Sequence, residues 1–377
     1  MTMTKPSILV TALAAMTAML MAWPAGAQED GPPPPTTASA GEKLDVVWNV
    51  IDGAIRPGYS AFEDAAREEA TKIGALCEMP DEVQLQTARE GFGQLAKAFA
   101  AIEFVRFGPI TEDHRLERIL FFPDRRGVTL RQVQAILANT EDDSALSPAT
   151  LAQKSVAVQG LTALEFVLFG SGSETLETKG GDFRCSYAKA IADNIVSIAE
   201  AVTAGWGDEE GITSRLTNPS QSDTAYRTAD DSLKEITSIF IDGLEMIRDQ
   251  RLKPALGEDA QDANPKAFLY HRSENALAAL SANFAGLRQI FDAAQYGEIL
   301  PEAQASYLPD AISFEFDNAR RTLDAIPAPL ADVVVSTENR DKLDYVLIVT
   351  GSLQSEFANQ LAPALGLSAG FSSLDGD

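Results

Sequence analysis

The chain has 377 residues, 45% of them hydrophobic, long enough to bury more than one core. Its formal charge of −25, from 55 acids against 30 bases, excludes nucleic acid as an obvious partner. With two histidines and no HExxH, nucleophile elbow or glycine-rich phosphate loop, it also lacks the common hydrolase and nucleotide motifs.

Lys5, the apolar run Ile8–Ala22 and Ala25-Gly26-Ala27 read as a signal peptide over residues 1–27. No cysteine stands directly after the cleavage point and no later apolar run spans a bilayer, so the expected mature protein is exported to the periplasm or cell envelope without a transmembrane anchor. Residues 28–41, with four consecutive prolines, form a flexible spacer. Cys77 and Cys185 are the only cysteines, and in an exported chain such a pair reads as one disulfide.

Residues 42–205 are expected to make an N-terminal helical bundle. A short segment from Leu44 is divided at Pro57 from a second that runs to about Leu76. Asp81 is the N-cap of a helix Glu82–Phe107, closed by Gly108-Pro109. Asp113–Gly127 is an irregular connection and Thr129–Leu137 is helical. Ser147-Pro148 opens a helix that carries Gly160–Phe169, and Asp182–Thr203 follows. Gly205–Asp223 is the expected domain boundary. Beyond it Thr224–Arg251, Ser273–Tyr296, Ala311–Ile326 and Asn339–Leu361 form a second bundle over residues 222–366, and 367–377 is a tail. The fold class is all-α, with two related antiparallel four-helix-bundle subdomains.

The stretch Val156–Gly170 is apolar on nearly every face, which places it inside the bundle, yet it carries Glu165. A buried carboxylate needs a cation, a metal or a set of donors. Two readings follow: an ion pair with an arginine of the Arg115–Arg126 connection, or a site that also serves a ligand. Ala98–Gly108 aligns without gaps on Gly160–Gly170 and pairs Glu103 with Glu165. Either two apolar helices are alike by chance or a duplicated hairpin places two carboxylates in one core. Glu103 also has Arg106 at i+3 on its own helix as a local partner. His114 and His271 read as surface or loop residues, Phe121-Phe122 as packing, and Ser273 as a helix cap.

Several combinations together resemble the imelysin-like family grouped with the M75 peptidases. They are Phe107-Gly108-Pro109, Phe121-Phe122-Pro123-Asp124-Arg125-Arg126-Gly127 with Arg118, Gly160 to Gly170, Phe183-Arg184-Cys185 with Tyr187, Arg272-Ser273, Gly286-Leu287-Arg288, and the ending Ala364–Asp377. The resemblance implies an all-helical exported protein of two related bundles, with links to iron handling. The family's G-x-H-x-x-E motif falls on Gly160, Thr162 and Glu165, so a threonine stands where the histidine is expected. The expected ligand-binding set is Gly160, Thr162, Glu165, Glu103, Arg118 and Asp124, with Glu165 as the candidate ligand of a metal ion such as iron. The expected function is binding of a small ligand or metal, with an envelope protein as a further partner. A metallopeptidase and a non-binding envelope scaffold are the alternatives.

Overall fold

The computed structural model describes residues 38–327 and 329–367. The expected signal peptide, the expected spacer up to residue 37 and the expected tail from 368 lie outside the described residues. Every described element is helical, in agreement with the all-α expectation. The longer helices are α1 (Ala40–Val50), α2 (Arg56–Glu78), α3 (Glu82–Ala100), α4 (Val128–Ala138), α5 (Leu161–Phe169), α6 (Asp182–Gly207), α7 (Ala229–Met246), α8 (Ala276–Ala294), α9 (Leu308–Asp324) and α10 (Thr337–Glu356).

Local side chains set several helix starts. Ser39 and Glu42 form a capping box on α1, Asp81 accepts from the Gln84 N–H on α3, and Thr228 with Asp231 caps α7. Pro57 does not divide the first two helices, because α1 passes into α2 through a π-turn, Ile51–Ile55. The same device recurs at Ile247–Leu252 before Pro254 and at Phe357–Leu361 before Pro363. A proline lacks the N–H and crowds the preceding carbonyl, and the wider turn ahead of it absorbs both defects.

Two corrections bear on the site. The helix expected over Glu82–Phe107 stops at Ala100, where Asn283 of α8 donates to the Ala100 carbonyl at 2.7 Å and turns follow. Gly286 permits that approach, since a Cβ there would collide with the Ala101 carbonyl. The helix opened by Ser147 runs only over Pro148–Leu151, and α5 starts afresh after Gly160. A Cβ on Gly160 would strike the backbone of Arg118 and Ile119.

α2 lies between α3 and α6, and α5 packs on α3, α4 and α6. α8, α9 and α10 pack in sequence, with α7 against α10. α1 leans on α7 and α8 while α3 also meets α8, and one apolar cluster extends from Val46 to Leu367. The Gly205–Asp223 segment is firmly bonded. The Trp206 carbonyl accepts from Arg56 Nε and Thr213 Oγ1, and Arg215 grips Asp223 with two hydrogen bonds. Cys77 and Cys185 are bonded as expected, tying α2 to α6 with Cα atoms 5.5 Å apart.

Candidate functional site

Both ends of α5 are fixed by distant groups. Close backbone contact at Gly160 sets its start. At its end Arg184 donates to the Phe166, Val167 and Ser171 carbonyls, and Arg89 donates to that of Leu168. Cations there also complement the negative end of the helix dipole. Glu165, on this clamped helix, is only 2% exposed.

The partner of Glu165 is the segment Arg272-Ser273, not an arginine of the Arg115–Arg126 connection. Oε1 accepts from the Arg272 N–H at 3.0 Å, the Ser273 N–H at 3.0 Å and the Ser273 hydroxyl at 2.9 Å. Oε2 faces the Arg272 guanidinium at 4.0 Å. The loop that makes this cradle contains two left-handed non-glycine residues, Tyr270 at φ 61° and Glu274 at φ 58°. Such strain, of order 1–3 kcal/mol per residue, persists where surroundings enforce it. Ser273 therefore does not cap α8, whose N-cap is Asn275. Burial raises the Glu165 carboxyl above its usual range, and Ser273 and Arg272 oppose that shift.

A half-enclosed cavity of about 360 Å³ lies against Glu165. Thr162, Glu165, Asp124 and Phe122 line it from the N-terminal half, and Phe268, Tyr270, His271 and Arg272 from the other half. His271 is half-buried, and its Nδ1 lies 3.2 Å from the Phe268 carbonyl. With Nδ1–H donating to that carbonyl, Nε2 is left as the acceptor. Burial, followed by the charge of Arg272, pushes this imidazole down to about 4, so it is neutral at neutral pH. Asp124 lends its two oxygens to the Val128 and Thr129 N–H groups at 2.8 Å each, which starts α4.

The remaining expected site residues fall elsewhere. Arg118 bonds Gln159 Oε1 and Asn194 Oδ1 at 2.8 Å each, and with Gly160 it braces the entry to α5. Glu103 pairs with Arg251 at 2.8 Å, both side chains 4% exposed, and accepts from Asn283 at 2.8 Å. Arg106 points instead to Met246 Sδ at 3.6 Å. Tyr270 lies within the electrostatic reach of both glutamates, and burial first, then Glu103, raises its hydroxyl well above the usual value. Phe122 is more than packing: its ring lines the cavity and carries the Arg251 guanidinium 4.7 Å from its centre.

The donors do not fit a catalytic metal. Glu165 Oε1 is already saturated, Thr162 offers a weak neutral oxygen, and no group of three or more His, Cys, Asp or Glu could hold an ion among the described residues.

The imelysin model (peptidase M75) matches residues 55–354. The chain belongs to the imelysin family. An imelysin-like protein from Psychrobacter arcticum 273-4 superposes with a TM-score of 0.74 at 20% identity, over 89% of this chain and 99% of that one. A putative iron-regulated protein A precursor from Parabacteroides distasonis ATCC 8503 gives 0.66 at 13% identity, over 86% and 98%. Both likenesses support the shared fold. No curated protein matches the chain.

Proposed function

We propose that this imelysin-family chain is an exported, non-catalytic binding protein of the cell envelope that takes a small ligand in the cavity beside Glu165 and serves iron uptake. The observation that carries this reading is the pinned carboxylate. Glu165 is held by three donors from a strained loop, at the wall of a cavity built by both halves of the chain. Pockets of roughly 300–1,000 Å³ with few polar groups are the usual ligand sites. The signal-like leader supports export, and the iron-regulated name of the Parabacteroides neighbour supports the iron link. Two helical bundles that close over the cavity are part of the same proposal. A peptidase would need a metal with an open position, and Thr162 stands where the motif supplies histidine.

The test pairs metal analysis of protein isolated from the envelope with a general peptidase assay in added zinc or ferrous iron. The expected outcome is no hydrolysis, together with a rise in the protein's level when iron is withheld. Metal-dependent hydrolysis abolished by Glu165→Gln would overturn the non-catalytic reading. An unchanged level under iron starvation would remove the iron link.

A further inference from the structure

We propose that the ligand of this cavity is an organic anion with an apolar body, drawn in by Arg125, Lys266 and Arg272. The proposal rests on the binding reading above and assigns the ligand's charge and character.

The acids at the cavity are already committed. Asp124 is spent on two backbone N–H groups, Asp249 on Arg248 and Lys253, and Glu165 on the Arg272-Ser273 cradle. The bases are not matched in the same way. Arg125 and Lys266 line the cavity, are exposed, and form no ion pair among the described residues, in a chain with 55 acids to 30 bases. Arg272 is 29% exposed and sits 5.5 Å from the centre of the Phe166 ring, 4.0 Å from Glu165 Oε2. With Asp249 offset by Arg248 and Lys253 and Glu165 by Arg272, the two unpaired cations Arg125 and Lys266 outnumber Asp124, and the balance at the cavity is cationic.

His271 lies in the same field: after burial, the charges of Arg272 and Lys266 beside it at the cavity wall push against its protonation. A bare metal cation would meet this field as repulsion, so iron would enter only inside an anionic complex. The walls between the charges are apolar: Phe122, Leu130, Pro254 and Phe268. An inorganic anion would leave those surfaces unused, whereas an anion on an apolar body uses both.

Anilinonaphthalene sulfonate, an apolar anion, and N-phenyl-1-naphthylamine, its uncharged counterpart, are the probes for fluorescence titration of the full mature chain. Ala267→Trp fills the cavity from its wall, and the Arg125→Ala/Lys266→Ala pair changes only exposed side chains. The expected result is saturable sulfonate binding, lost in Ala267→Trp and weakened roughly tenfold in the double variant and again as salt rises, with the neutral probe changed less than about twofold by the double variant. If both probes bind equally well to the parent and both are lost in Ala267→Trp, the cavity binds ligands but the anion assignment fails. If Ala267→Trp folds normally and alters neither titration, the cavity itself is not the binding site and the underlying reading fails with it.

Discussion

Replacing Glu165 with glutamine keeps an acceptor for the Arg272 and Ser273 donors and removes the charge facing the guanidinium. A fully buried pair broken this way loses about 3–5 kcal/mol, since a charge is stranded. Arg272 is 29% exposed and 4.0 Å away, so water can take over its solvation. We expect Glu165→Gln to lose about 1–2 kcal/mol in chemical denaturation and, by freeing the Arg272 guanidinium, to retain or tighten binding of an apolar anion. A loss near the upper figure would mean that the cradle is mainly structural. His271 supplies a pH test at the same wall. Its folded value lies near 4, below the ordinary 6.5, so the unfolded chain binds more protons between those values. Its contribution to stability is lost as pH falls from about 6.5 towards 4. Glu165, raised above its usual range, acts with the opposite sign and costs stability as pH rises. His271→Phe should therefore flatten the acid side of a melting-temperature profile, and an unchanged acid limb would show that the ring is solvated.

At the scale of helices, Glu69 of α2 is the least comfortable group. It is fully buried against α3 with neither oxygen bonded among the described residues, and burial raises it well above its usual range. Gly91 of α3 makes room for it, because a Cβ there would land on the carboxylate. A buried polar group without a partner costs about 1–3 kcal/mol, so Glu69→Met should stabilise the protein by that order. The gain should grow as pH rises, because the raised folded value means that ionisation destabilises the native state; a destabilised Glu69→Met would imply a bound water or unseen partner. Helix starts set by adjacent residues were legible in the sequence, as at Asp81 and Ser147. The end of α3 was not, because the group that stops it, Asn283, lies 183 residues away. Pro57 misled for a related reason, since the π-turn that absorbs it leaves no mark in hydrophobic periodicity. In the site, the burial of Glu165 was legible from one charge in an apolar stretch. Its partner was visible only as the motif Arg272-Ser273, which local rules explain equally well as a cap.

Across the molecule, covalent and ionic links join segments far apart in sequence. The Cys77–Cys185 bond closes a separation of 108 residues. Chain-entropy reasoning gives about 4–5 kcal/mol for such a loop, and removed native disulfides commonly cost about 2–5 kcal/mol. The Cys77→Ser/Cys185→Ser double variant should fall in that range by denaturant titration; no loss would place the constraint outside the folding equilibrium. Glu103 and Glu165 each bond groups more than 100 residues downstream, Arg251 and Asn283 for one and Arg272 with Ser273 for the other. The two aligned segments thus each send a buried carboxylate across to the C-terminal half, and the second of these borders the cavity. On the proposed binding role, this cavity is occupied in the cell. The most direct measurement is mass spectrometry of small molecules released from protein purified from its native compartment, parent against the cavity-filling Ala267→Trp. A stoichiometric organic species is expected in the parent and not in a normally folded Ala267→Trp; the same species in both, at equal amounts, would overturn the binding role of the cavity.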